Sequence, residues 1–69
     1  MATIYKKVGE NIRKIRKQKG QTQEELAGLA RIDPKSIIEI EGGKRNPTLK
    51  TIKRISLALK SKLSDLLEE

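Results

Sequence analysis

The chain has no cysteine and no histidine. Without cysteine there is no disulfide framework and no thiolate metal site. Without histidine, the commonest metal ligand and the commonest general base are missing too. No metal and no cofactor are expected, and no nucleophile–base pair or glycine-rich phosphate loop points to an enzyme. Phenylalanine and tryptophan are also absent, and Tyr5 is the one aromatic residue. That leaves no stacking platform of the kind that grips RNA or single strands. No apolar run approaches the roughly 18 residues of a membrane span, and the opening Met1-Ala2-Thr3-Ile4-Tyr5 has no signal-peptide core. Cytoplasm is therefore the default location, and neither a membrane nor a small-molecule ligand is expected as a partner. Nothing alternates with period two, so strands are not expected.

What the sequence has in excess is positive charge, a net +7 over 69 residues. Residues 1–20 hold seven bases and one acid, and residues 21–41 hold two bases and five acids. Residues 42–62 hold seven bases and no acid, and residues 63–69 hold three acids. Two basic segments thus flank an acidic middle, unlike a uniform polycation. The pattern fits a polyanionic partner met along two flanks. It fits equally a set of Lys and Arg that only solvate helix surfaces.

The length allows one domain, residues 1–69. Its periodicity is helical. Ile4, Val8, Ile12 and Ile15 recur at spacings of four and three and share one face. Thr3 can cap this first helix, Gly20 can stop it, and Gly9 is a weak point within it. Thr22-Gln23-Glu24-Glu25 reads as a capping box. The short helix it opens reaches Leu29 or Ala30, with Leu26, Leu29 and Ala30 inward. Asp33-Pro34 starts a third helix, with Asp33 as cap and Pro34 in the first turn. Ile37 and Ile40 mark its inner side, and Gly42-Gly43 end it. A basic loop, Lys44-Arg45-Asn46-Pro47, leads to a fourth helix capped by Thr48, with Ile52, Ile55, Leu57 and Leu59 on its apolar side. Lys60-Ser61-Lys62 is a break. A last helix follows, with Leu63, Leu66 and Leu67 on one face. The expected architecture is all-α, a compact bundle of five short helices.

The second and third helices are joined by only Arg31-Ile32-Asp33, and the small Ala27 lies where the third must cross the second. Together they read as a helix-turn-helix over residues 22–42. On the third helix, Lys35, Ser36 and Glu39 lie within one turn of each other, on the face opposite Ile37 and Ile40.

Thr22 to Thr51, TQEELAGLARIDPKSIIEIEGGKRNPTLKT, resembles the repressor/Cro-type helix-turn-helix domain of bacterial and phage regulators, the xenobiotic-response-element family. The features that carry the resemblance are the T-Q-E-E-L-A opening, the I-x-x-I-E close of the third helix, the G-K-R-N-P loop and the T-L-x-T-I start of the fourth. The basic first helix and the L-S-D-L-L ending extend it over nearly the whole chain.

The resemblance implies a lambda-repressor-like fold and a regulator of transcription, a repressor or an activator. It would bind double-stranded DNA at a palindromic operator as a homodimer, in a bacterial or phage cytoplasm with the nucleoid. It implies base contacts from Pro34, Lys35, Ser36 and Glu39. It implies phosphate contacts from Gln23, Lys44, Arg45, Asn46 and Thr48. Lys35 can donate to guanine, and Lys44 and Arg45 are expected in a mobile loop. Glu39 can accept from cytosine, pair with Lys35, or repel wrong bases. Gln23 can instead be a solvated first-turn residue, Asp33 suits a structural cap, and Glu41 suits a local salt bridge. The acidic middle would then sit over the bases, between basic flanks that meet phosphate. Leu63, Leu66 and Leu67 are the expected dimer interface, the alternative being that some of them fold back onto the first helix.

Arg31 stands where the family has glycine in the turn, so either the turn is rearranged or the domain tolerates a left-handed arginine. Lys60 replaces another glycine, between the last two helices. The alternative function is a protein-interaction module, such as an antitoxin or an adaptor built on the same fold.

Overall fold

The first apolar stripe becomes helix α1, Ala2–Gln18, in the computed structural model, which describes residues 2–68 and side chains from Ile4 onward. Thr3, expected as its cap, lies inside the helix, which already begins at Ala2. Val8 and Ile12 are buried, and Ile15 packs against the core from its edge. Ile4, one turn earlier on the same stripe, is half exposed, because the buried cluster begins only at Val8. Gly20 ends the helix in the left-handed region, φ 72°.

The capping box forms as its spacing requires. Thr22 Oγ1 accepts from the Glu25 amide at 3.0 Å, and Glu25 Oε1 accepts from the Thr22 amide at 2.8 Å. It opens α2, Gln23–Ala30. Asp33 accepts from the Lys35 amide at 3.0 Å and opens α3, Pro34–Glu41. Thr48 accepts from the Thr51 amide at 3.1 Å and opens α4, Leu49–Leu59. Helix α5, Leu63–Leu67, completes the chain order. All regular structure among the described residues is helical. Helix α3 rests on α1 and α2, α2 also packs on α4, and α5 folds back onto α1 and α4.

Two leucines expected inside are outside. The inward side of α2 runs through Leu26, Ala27 and Ala30, so Leu29, beyond Leu26, turns to the surface. The inward side of α4 runs through Ile52, Ile55, Ser56 and Leu59, which leaves Leu57 nearly opposite. The buried Ser56 hydroxyl is satisfied locally, donating to the Lys53 carbonyl at 2.7 Å. Leu66 is corrected in the other direction. It is fully buried within the single chain, so it belongs to the core and cannot line a dimer surface. Leu63 packs against that core from its edge, and Leu67 remains exposed. The end of α5 is held down by Asn11, whose Nδ2 donates to the carbonyls of Leu66 at 3.0 Å and Glu68 at 2.7 Å.

Gly9 is no weak point. It lies buried where α1 crosses α3. A Cβ there would collide with the Ile40 carbonyl oxygen and come within 3.1 Å of the Glu41 carbonyl oxygen. The missing side chain lets two backbones touch. Beside this crossing, Arg16 Nε donates to Glu41 Oε2 at 2.7 Å and Arg16 Nη2 to Glu41 Oε1 at 3.1 Å. Both side chains are buried. Arg16 Nη1 also donates to the Gln21 carbonyl at 2.7 Å, clasping the turn after α1.

Two outcomes follow for denaturant melts. Helix propensity alone makes Gly9→Ala stabilising by up to about 1 kcal/mol. The crossing makes it destabilising, by about 1–3 kcal/mol or more through overpacking, and a gain in stability would rule out this contact. Arg16→Met should cost about 3–5 kcal/mol by stranding a buried carboxylate, and Arg16→Met with Glu41→Leu should recover most of that loss. Simple addition of the two single-variant losses would show that the groups are not coupled.

Candidate nucleic-acid interface

Helix α3 has one face in the core and one outside. Ile37, Ile40 and Glu41 point inward. Pro34, Lys35 and Ile38 are exposed, and Ser36 and Glu39 are half-exposed. Residues four apart lie above one another on a helix, so the outer face carries two strips. One is polar, Lys35 and Glu39. The other is apolar, Pro34 and Ile38. Ile38 has no role in the sequence reading. Its signal is visible only in retrospect, because three isoleucines in four positions cannot all face one side of a helix.

Arg45 departs from expectation. It does not trail in a free loop. Its Nη1 donates to Ser36 Oγ at 2.8 Å and to Glu39 Oε1 at 3.2 Å. The loop arginine therefore lies along the edge of α3, and Glu39 pairs with Arg45 rather than with Lys35. The pair is well exposed and contributes at most about 1 kcal/mol. Its partners can be exchanged for an outside acceptor at little cost.

Beyond Arg45 runs a shallow groove lined by Arg31, Ser36, Asn46, Thr48 and Arg54. Three guanidinium groups on three different elements thus meet at one edge of α3. Arg54 was not singled out by the sequence, where it is one of many bases on α4. Lys44 and Asn46 are exposed in the loop. The Thr48 hydroxyl is committed to its cap and to Thr51 Oγ1, 3.0 Å away. Gln23 is half-buried, and its Nε2 donates to Glu41 Oε1 at 3.0 Å. One N–H and the carbonyl oxygen of its amide remain for an outside partner.

The acidic middle is largely structural. Glu41 serves the buried ion pair, Glu25 and Asp33 serve caps, and Glu39 holds Arg45. Only Glu24 among these five stands exposed with no side-chain hydrogen bond described for it.

The turn between α2 and α3 keeps the left-handed geometry. Arg31 has φ 58° and ψ 48°, its amide donates to the Gly28 carbonyl at 3.3 Å, and the Ile32 amide donates to the Ala27 carbonyl at 2.9 Å. Lys60 adopts the same region at the end of α4, with φ 53°. No helix among the described residues is long and apolar enough to cross a membrane.

The chain is similar to known proteins. Residues 9–68 match a family model described as a helix-turn-helix domain. An uncharacterised HTH-type transcriptional regulator of Sinorhizobium fredii is 37% identical over 56 residues, covering 81% of this chain and 73% of that protein. Another from Archaeoglobus fulgidus is 36% identical over 55 residues, covering 80% of this chain and 79% of that protein. The solved structure of the restriction-modification controller protein C.AhdI from Aeromonas hydrophila is similar with a TM-score of 0.89. It is 33% identical, and the match covers 96% of this chain and 98% of that one.

A left-handed arginine costs roughly 1–2 kcal/mol relative to glycine. Arg31→Gly should therefore raise stability, by up to that amount less the added freedom of the unfolded chain. Urea melts measure the difference, and a clear loss would mean that the arginine side chain holds the turn.

Proposed function

We propose that this chain, which belongs to the helix-turn-helix domain family, is a transcriptional regulator of the repressor/Cro type, binding a palindromic operator in double-stranded DNA as a homodimer. One observation carries the reading: Pro34, Lys35 and Ile38 are exposed on the outer face of α3, and a groove lined by Arg31, Arg45 and Arg54 runs along its edge. A helix of this width fits a major groove, and the groove's edges are phosphates. The names of the relatives, HTH-type transcriptional regulators and a restriction-modification controller, point the same way. Such a protein acts in the cytoplasm, on the chromosome.

In this reading α3 enters the major groove from its N-terminal end. Lys35 donates to guanine O6 and N7, and Ile38 and Pro34 meet the methyl groups of thymine. Glu39 accepts from cytosine N4 when Arg45 turns from it to a phosphate. Ser36 contributes a hydroxyl at the same edge. Lys44, Asn46 and the start of α4 at Thr48 meet the backbone on one side, and the remaining amide hydrogen of Gln23 meets it on the other. Two such domains would place their α3 helices about 34–36 Å apart, one turn of DNA. Leu63 and Leu67 remain available to the dimer contact. Regulation then runs through protein concentration, since dimerisation precedes tight binding.

The division between reading and gripping is measurable. Enrichment of random duplexes on the purified protein supplies an operator. Binding isotherms on operator and scrambled duplexes at several salt concentrations then separate the roles. Lys35→Ala should change discrimination at one or two base pairs by roughly 1–3 kcal/mol with little change in salt slope. Lys44→Ala should weaken all duplexes alike and flatten the slope by about 1 per lost phosphate contact per subunit. If Lys35→Ala and Glu39→Ala both leave the operator-to-scrambled ratio unchanged, α3 is not the reader.

A further inference from the structure

We propose that the groove between the end of α2 and α4 receives the end of α5 from a second copy of this chain, so that an apolar contact ringed by ion pairs holds the dimer. The inference rests on the homodimer reading above and says where its two halves meet.

The groove has an apolar floor and a cationic rim. Leu29 and Leu57, 62% and 68% exposed, line it together with Ala58. They come from different helices, and both were expected in the core. Arg31, Arg54 and Lys60 line the same groove, and among the described residues no acidic one does. Two of those three cations occupy left-handed backbone, at φ 58° and 53°. Glycine would adopt that geometry without strain. Long cationic side chains at both positions make sense if their charge is used where they stand. Gln21 also lines the groove, and its buried Oε1 has no hydrogen-bond partner among the described residues.

Such a groove fits a helix end that presents an apolar side chain between carboxylates. Helix α5 of this same chain is one. Leu67 is 43% exposed, with the exposed Asp65 and Glu68 beside it. Asn11 pins its last turn in place, so little ordering is needed on docking. Groove against groove would set cation against cation and is excluded. Helix end into groove pairs opposite charges, and a two-fold axis lets each copy give one helix end and receive the other. A phosphate backbone matches the rim but leaves the leucine floor unused.

Sedimentation equilibrium of the full chain, from low micromolar to high micromolar concentration, tests the proposal. Leu57→Ser and Arg54→Glu lie on the surface and should keep the melting behaviour of the parent. Each should weaken dimerisation by roughly tenfold or more. Glu68→Arg combined with Arg54→Glu should restore most of that loss, because the ion pair is only reversed. Dimerisation of the parent should weaken with added salt. If Leu57→Ser and Arg54→Glu leave the dimer unchanged while Leu63→Ser loosens it, the halves meet elsewhere, and the homodimer reading survives without this groove. If the double variant is weaker than Arg54→Glu alone, Glu68 does not face Arg54 and the proposed pairing is wrong. If the parent is a monomer throughout and also on DNA, the homodimer reading falls and this inference with it.

Discussion

The buried Arg16–Glu41 pair is the constraint on which the rest of the structure depends. Glu41 is the last residue of α3, and Arg16 stands near the end of α1. Their two hydrogen bonds fix the roll and the height of α3 against α1. Arg16 also holds the turn that leads to α2, and Gln23 at the start of α2 reaches the same carboxylate. Three helices are thus registered through one buried charge. Such a pair adds little net stability over a well-packed apolar substitute. What it does here is set position, since an unpaired buried charge penalises every other arrangement. Gly9 makes the pair possible by letting the backbones of α1 and α3 meet, about two turns before Arg16 on α1.

That registration decides what α3 shows to the outside. With Ile37, Ile40 and Glu41 turned in, the polar strip of Lys35 and Glu39 and the apolar strip of Pro34 and Ile38 face out together. Arg45 then comes to rest against Ser36 and Glu39 because Gly42 and Gly43 reverse the chain beside the helix; Gly43 does so with φ 73°. The exposed pair is weak enough to open. It keeps a guanidinium beside the outer face of α3 at small cost in stability. Apart from Glu24, the acids of residues 21–41 are absorbed in caps, the buried pair and this contact. The middle of the molecule is therefore less acidic toward a partner than its composition suggests.

The two left-handed residues belong to a second surface. Arg31 and Lys60 terminate different helices, yet both line the groove floored by Leu29 and Leu57. Arg31 and Arg54 lie on the ridge between that groove and the one beside α3, since they line both. A contact in either groove is next to the other. In the proposed assembly, docking of a second copy and contact with the DNA backbone would share the same two arginines.

The sequence by itself determined the elements and their ends. Thr22 with Glu25, Asp33 with Pro34, and Thr48 are local devices, each satisfied by an amide two or three residues away, so their spacing suffices to read them. The left-handed turn at Arg31 was legible as one of two options, because the resemblance places a glycine of the family at that position. Tertiary structure alone decided which leucines are buried. A stripe of apolar residues defines a helix face only to within a quarter turn or so, and neighbours that occupy one side of it choose among Leu29, Leu57, Leu66 and Leu67. It alone paired Arg16 with Glu41, 25 residues apart, and brought Arg45 to Glu39. It alone turned Gly9 from a liability into a crossing point. These contacts join residues that no local periodicity relates, and they exist only once the helices have packed.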